Sequence, residues 1–140
     1  MPAALTPDLA LTYLRELSAD ITAAIVLDAA GERLAGPPTL HAPAREFLAA
    51  APPGPAELHG RTATGAAFAA RDDAHQIVVA TGPLALPGLT RHDLRTALAA
   101  LGGAPAPPAK AGAAAGREMP PIEAPAAAVA RVLAAANGRL

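Results

Sequence analysis

The chain has no cysteine, no tryptophan, one tyrosine, two phenylalanines, one serine and one lysine in its 140 residues. Without cysteine there are no disulfides, no thiolate metal sites and no thiol nucleophile, and the redox compartment is left unmarked. The sole serine, Ser18, stands at a helix end and lacks the strand-turn-helix setting of a nucleophile elbow, so covalent hydrolysis has no candidate centre. A net charge of -1 provides no basic field to attract phosphate backbones or anionic lipid, which argues against nucleic-acid binding and membrane association. No apolar run reaches the ~20 residues that span a bilayer, so membrane insertion is not expected. The start, MPAALTPDLALTYLRELSAD, has no basic region ahead of an apolar one, and the cytoplasm is the expected location.

What is present is alanine, proline, glycine and leucine, with ten of the eleven basic residues arginine, the codon bias of a GC-rich genome. With so few aromatics the core must come from Leu, Ile, Val and Ala. A fully buried Leu or Ile contributes only about 1.5 to 3 kcal/mol and Ala much less. A domain of roughly 100 residues built this way gains from burying further surface in a dimer.

Thr6-Pro7-Asp8 is a helix start, with a hydroxyl cap, a proline at the first position and a carboxylate in the positive first turn. Leu9, Tyr13, Leu14 and Leu17 follow on one predicted face, and the helix should end near Ser18. Ile21 to Asp28 switches to β-branched residues and reads as a strand. Asp28 to Gly31 makes a turn in which Gly31 can take positive φ, and Glu32 to Leu34 return until Pro37-Pro38. Pro43 to Ala51 reads as a short second helix, stopped by Pro52, Pro53 and Pro55. Glu57 to Thr62 alternates as a half-exposed strand, Ala66 to Arg71 returns, Asp72-Asp73 turns, and His75 to Thr81 reads as a strand buried on both faces. Thr90-Arg-His-Asp93 suggests a capping box for a helix carrying Leu94, Ala97, Leu98 and Leu101, closed by Gly102-Gly103. Residues 104–121 are rich in Pro, Ala and Gly, without apolar period, and read as a mobile linker. Pro125 then opens a last helix with Val129, Val132, Leu133 and Ala136 on one face, ended by Asn137-Gly138. A lone helix of about a dozen residues is marginal in water, so its expected role is docking.

The order is helix, two strands, short helix, three strands, long helix. With IVLDAAGERLAG at the first hairpin, HGRTATGAAFAARDDAHQIVVATG in the meander and LTRHDLRTALAALG closing it, the chain resembles the Roadblock/LC7 family over roughly residues 5–103. The resemblance implies an α+β fold: a five-stranded antiparallel sheet with helices 1 and 3 on one face and helix 2 on the other. It also implies homo- or heterodimers joined through helix 2 and strand 3 into one continuous sheet. Members act as scaffolds or regulators of Ras-like small GTPases, or as adaptors, without nucleotide chemistry of their own. The expected organisation is a domain over 1–103, a linker over 104–121 and a C-terminal helix over 122–140. The apolar stripe of the second helix and the open edge of the third strand make Phe47, Leu48, Ala51, Leu58 and Arg61 interface candidates, with Val129, Val132 and Leu133 as the docking face of the last helix.

Catalytic and cofactor chemistry finds little foothold. His41, His59, His75 and His92 lie 18, 16 and 17 residues apart, never at the spacing by which one strand or helix presents two metal ligands. Asp72-Asp73 beside His75 is the densest polar cluster, and a solvated hairpin turn accounts for it. Asp28 and Glu32 are turn and strand residues with nothing to complete an acid-base pair. No glycine run cradles phosphate. A solvated helix face accounts for Arg91 and Arg95, one helical turn apart, with contact to an acidic partner surface as the alternative. The expectation is a non-catalytic homodimeric scaffold, bacterial, without cofactor, that binds a small GTPase or signalling complex. The alternative is a sensor domain of profilin, PAS or GAF type, which predicts a ligand cavity lined by strand residues.

Overall fold

A computed structural model describes residues 6–101 and 122–136. The first helix, α1 (Pro7–Leu17), begins as its residues predict: the Thr6 side chain accepts a hydrogen bond from the Leu9 N–H at 3.2 Å. Its buried stripe is centred on Ala10 and Leu14, so Leu9 and Leu17, expected on the inner face, lie largely outside it. β1 (Ile21–Asp28) and β2 (Arg33–Ala35) form the first hairpin, with Gly31 at φ +88° in the turn. A 3-10 turn, Pro38–Leu40, leads directly into α2 (His41–Leu48), which starts two residues before the expected proline and ends ahead of Pro52.

The meander is β3 (Ala56–Thr62), β4 (Gly65–Arg71) and β5 (His75–Thr81), close to the residues the alternation marks. α3 (Pro87–Leu101) begins four residues before Arg91, the first helical residue of the expected capping box. Pro87 suits a first helical turn, and the Thr90 N–H donates to the Leu86 carbonyl, so Thr90 and Asp93 lie buried inside the helix. Residues 102–121 and 137–140, where the glycine stop, the linker and the Asn-Gly ending are expected, lie outside the described residues. The chain is described again at β6 (Ile122–Glu123) and α4 (Ala126–Ala136).

The sheet runs β2-β1-β5-β4-β3-β6, six strands where five are expected. Five are antiparallel; the sixth is the two-residue β6, parallel to β3 through Leu58 and His59. So short a strand has no periodicity for the sequence to display.

Because side chains alternate along a strand, the sheet builds two cores. On one face α1 and α3 cover Ile21, Ala24, Val26, Phe68, Ile77 and Val79. On the other, α2 and α4 cover Ile25, Leu27, Leu58, Ala67, Ala69 and Val78, with Phe47 the largest side chain there. The alanines of β4 keep the middle of the sheet thin, which lets helices approach closely on both sides.

Candidate functional site

The interface candidates of α2 and β3 meet the C-terminal candidates in one place. Phe47, Leu48, Leu58, Val129, Val132 and Leu133 are all buried in the same cluster, and Ala51 packs at its margin. Two glycines make the fit. A Cβ on Gly60 of β3 would stand 2.3 Å from Val129 Cγ2, and one on Gly65 of β4 would stand 3.1 Å from Leu133 Cδ2 and 2.4 Å from the Thr81 carbonyl oxygen. The sheet is hollowed where α4 crosses it. An ion pair between Arg131 and Glu46 ties α4 to α2 at the surface. At the edge, the Ala124 N–H donates to the His59 carbonyl at 2.8 Å, so the part of β3 predicted to lie open is covered by the chain's own C-terminal segment. An interface through α2 and the β3 edge therefore requires β6 and α4 to leave.

Arg61 is the exception among the candidates. It is exposed, and its guanidinium donates to the Ala85 carbonyl at 3.3 Å, fixing the connection between β5 and α3. That connection carries a feature the sequence reading misses. Leu84, Leu86 and Leu89 are 85%, 65% and 54% exposed. Leu17, at the end of α1, and Leu9 add two more exposed leucines to the same layer. The available signal is the stretch Gly-Pro-Leu-Ala-Leu-Pro-Gly-Leu, apolar without a period and framed by Pro83 and Pro87.

The polar clusters are occupied structurally. Asp28 Oδ1 accepts from the Ala30 and Glu32 N–H groups, each at 2.9 Å, and Asp72 Oδ1 accepts from those of Ala74 and His75, each at 2.8 Å. The His41 ring meets the Gly31 carbonyl through Nε2 at 2.7 Å, while His75 Nδ1 is buried without a hydrogen-bond partner among the described residues. Glu57 bridges Arg91 at 3.0 Å and Arg95 at 3.4 Å, clasping α3 to β3. Asp93 is buried in α3, and desolvation raises its pKa above the ordinary aspartate value, partly countered by the charge of neighbouring His92. Among the described residues no group of His, Asp and Glu side chains is gathered to hold a metal. No helix among them is long and apolar enough to cross a membrane.

A cleft of about 260 Å³ opens between the β1–β2 turn and the end of α2, lined by Gly31, Arg45, Leu48, Arg71 and Gln76 among others. Of its lining only Arg71 and Gln76 belong to strands, unlike the strand-lined cavity a sensor domain calls for. Arg71 directs its donors to the carbonyls of Leu48, Pro52 and Gly54, closing the loop after α2.

No family model and no curated protein matches the chain. Solved structures do. A Roadblock/LC7 domain from Streptomyces avermitillis aligns at 18% identity and TM-score 0.54, over 64% of this chain and 92% of that one. An MglB structure with a tetrameric arrangement aligns at 18% identity and TM-score 0.48, over 72% of this chain and 93% of that one. The gliding protein MglB from Thermus thermophilus aligns at 18% identity and TM-score 0.47, over 72% of this chain and 94% of that one. The chain has a Roadblock/LC7-like fold, with α1 and α3 on one face of the sheet and α2 on the other.

Proposed function

We propose that this protein is a non-catalytic, dimeric adaptor or regulator of the bacterial cytoplasm that binds a Ras-like small GTPase or a signalling assembly containing one. The observation that carries the reading is the distribution of exposed apolar surface: among the described residues, five of the six large exposed hydrophobic side chains, Leu9, Leu17, Leu84, Leu86 and Leu89, belong to the α1/α3 layer or the connection leading into it. Grouped apolar exposure of this kind marks a protein-binding surface. The fold supports the same reading, because the Roadblock/LC7 resemblance implies scaffolding of small GTPases. The described turn carboxylates and Arg71 are tied up in hydrogen bonds to backbone groups, which leaves them structural work.

The test is affinity capture from cells that make the protein, with mass spectrometry of the retained proteins and of extracted small molecules. The reading predicts a Ras-like GTPase whose retention depends on the nucleotide it carries. A stoichiometric metabolite with no GTPase would support a sensor role for the Arg45/Arg71 cleft and overturn the proposal.

A further inference from the structure

The cleft between the β1–β2 turn and the end of α2 lies where β1 ends and β5 begins, at the opposite end of the sheet from the Leu84–Leu89 connection. We infer that this cleft is a binding site for a compact oxyanion, a small molecule bearing a carboxylate or a phosphate, held between Arg45 and Arg71. The inference goes beyond the adaptor reading and holds or fails independently of it.

Charge sets the ligand class. Among the described residues, two arginines and no acidic side chain line the cleft. Neither guanidinium has a carboxylate partner among them, in contrast to Arg131, which pairs with Glu46, and to Arg91 and Arg95, which clasp Glu57. The acidic neighbours in the chain are engaged elsewhere: Glu46 with Arg131, and Asp28 and Asp72 each with two turn amides. Arg71 donates to the carbonyls of Leu48, Pro52 and Gly54, contacts that fix its position without cancelling its charge, and two of its five N–H groups remain. Two guanidinium charges at one concave site favour an oxyanion, whose geometry matches their donors.

The fold prearranges these groups. His41 and Arg45 stand one turn apart on α2 and both reach Gly31: the His41 ring meets its carbonyl at 2.7 Å, and a Cβ on Gly31 would stand 3.2 Å from Arg45 Nε. Glycine at φ +88° therefore both shapes the turn and lets the Arg45 side chain lie across it. Arg71 and Gln76 are cross-strand partners where β4 ends and β5 begins, and Gln76 is a buried polar side chain in a strand rich in Ile, Val and Ala. Its Nε2 donates to the Asp28 carbonyl at 2.9 Å, which leaves Oε1 to accept from a hydroxyl or ammonium beside the anionic group of a ligand. Ala30, Ala49 and Ala51 add no bulk to the walls. At about 260 Å³ the space is smaller than the ~300 to 1,000 Å³ of larger ligand sites, so it takes a molecule of few heavy atoms and not a nucleotide.

The test is an NMR titration of the full chain with inorganic phosphate and, separately, with glycolate, chloride holding the ionic strength constant. Saturable shifts are expected at the amides of residues 29–31, 45–51 and 76, with Kd on the order of millimolar for probes of so few atoms. The probe that binds more tightly tells a phosphate-bearing ligand from a carboxylate. Arg45→Gln should weaken binding at least ~10-fold, the equivalent of one charge-assisted hydrogen bond, and Arg45→Lys, which keeps the charge, should weaken it less. Ala49→Glu brings a carboxylate to the cleft and should abolish binding. Both positions are exposed, so the fold is retained, and native-like amide spectra without ligand verify it. A ligand held this weakly washes out during affinity capture, so the outcome here is read separately from retention of a GTPase. Shifts that chloride alone reproduces, that neither probe saturates, or that Arg45→Gln leaves unchanged overturn the site.

Discussion

The two faces of this sheet solve the same burial problem differently. On the α2 side an eight-residue helix is too short to cover the strands alone, and the chain returns after α3 to add a strand and an 11-residue helix. Glycines at 60 and 65 clear space for that helix, and its valines and leucine complete the cluster around Phe47. On the other side α1 and α3 arrive directly and cover the strands with Ala10, Leu14, Leu94 and Ala97, leaving five leucines at the rim or outside. The interface expected from the sequence lies on the first face, which β6 and α4 of this chain cover, and the exposed leucines lie on the second. A shared fold places the helices, and what is appended to the fold decides which surface remains for binding.

Substitutions can separate the two faces. The largest effect is expected at Phe47→Ala, which empties the centre of the sealed core and should cost about 3 to 5 kcal/mol in urea unfolding. Gly60→Val drives a methyl group into Val129 and should cost about 1 to 3 kcal/mol, with backbone amides of residues 126–136 losing protection in hydrogen exchange ahead of the rest of the chain. On the open face, Glu57→Gln removes the charge that holds two arginines and should cost about 1 kcal/mol, less at high salt because both arginines are partly exposed.

Asp93→Asn tests the buried carboxyl of α3 by its pH dependence. Burial raises the folded-state pKa, so the protonated form fits the fold and the ionised form strains it. Native stability is then greatest below the unfolded pKa and is lost as pH rises through the folded value. The substitution should raise Tm at pH 7 and lose that advantage in acid. The smallest effect on stability is expected for Leu86→Ser/Leu89→Ser, within about 0.5 kcal/mol, although it is the variant that should most weaken capture of a partner protein.

Most of the architecture is legible in the sequence because local rules and tertiary packing agree. The Thr6 cap, β1 from Ile21 to Asp28, the positive φ of Gly31 and β5 from His75 to Thr81 stand where residue chemistry places them. The alternation of Leu58 and Gly60 inward with His59 and Arg61 outward identifies β3, and the stripe Val129, Val132, Leu133 identifies α4 as a docking helix. The docking site itself is not legible, since nothing in a stripe of valines says which groove it fills. Gly60 is the one hint: it sits in a regular strand with no turn to make, and its missing side chain is explained only by Val129. The start of α3 is obscured because Thr90 to Asp93 imitates a capping box, whereas Pro87 begins the helix one turn earlier. Helical spacing assigns Leu9 and Leu17 inward, yet the small Ala10 lets α1 approach the sheet along a neighbouring line and turns them outward. That displacement, together with the apolar connection into α3, is what gives the molecule its open face.

Hydrogen exchange measured across a dilution series tests the central claim most directly, because it reports which amides a second copy protects. Protection of residues 41–62 and 122–136 that does not change with protein concentration is the predicted result, because the C-terminal segment stays on the sheet. Concentration-dependent protection in residues 41–62 accompanied by deprotection of 122–136 would mean that the C-terminal segment leaves and the α2/β3 surface pairs instead, contradicting the account.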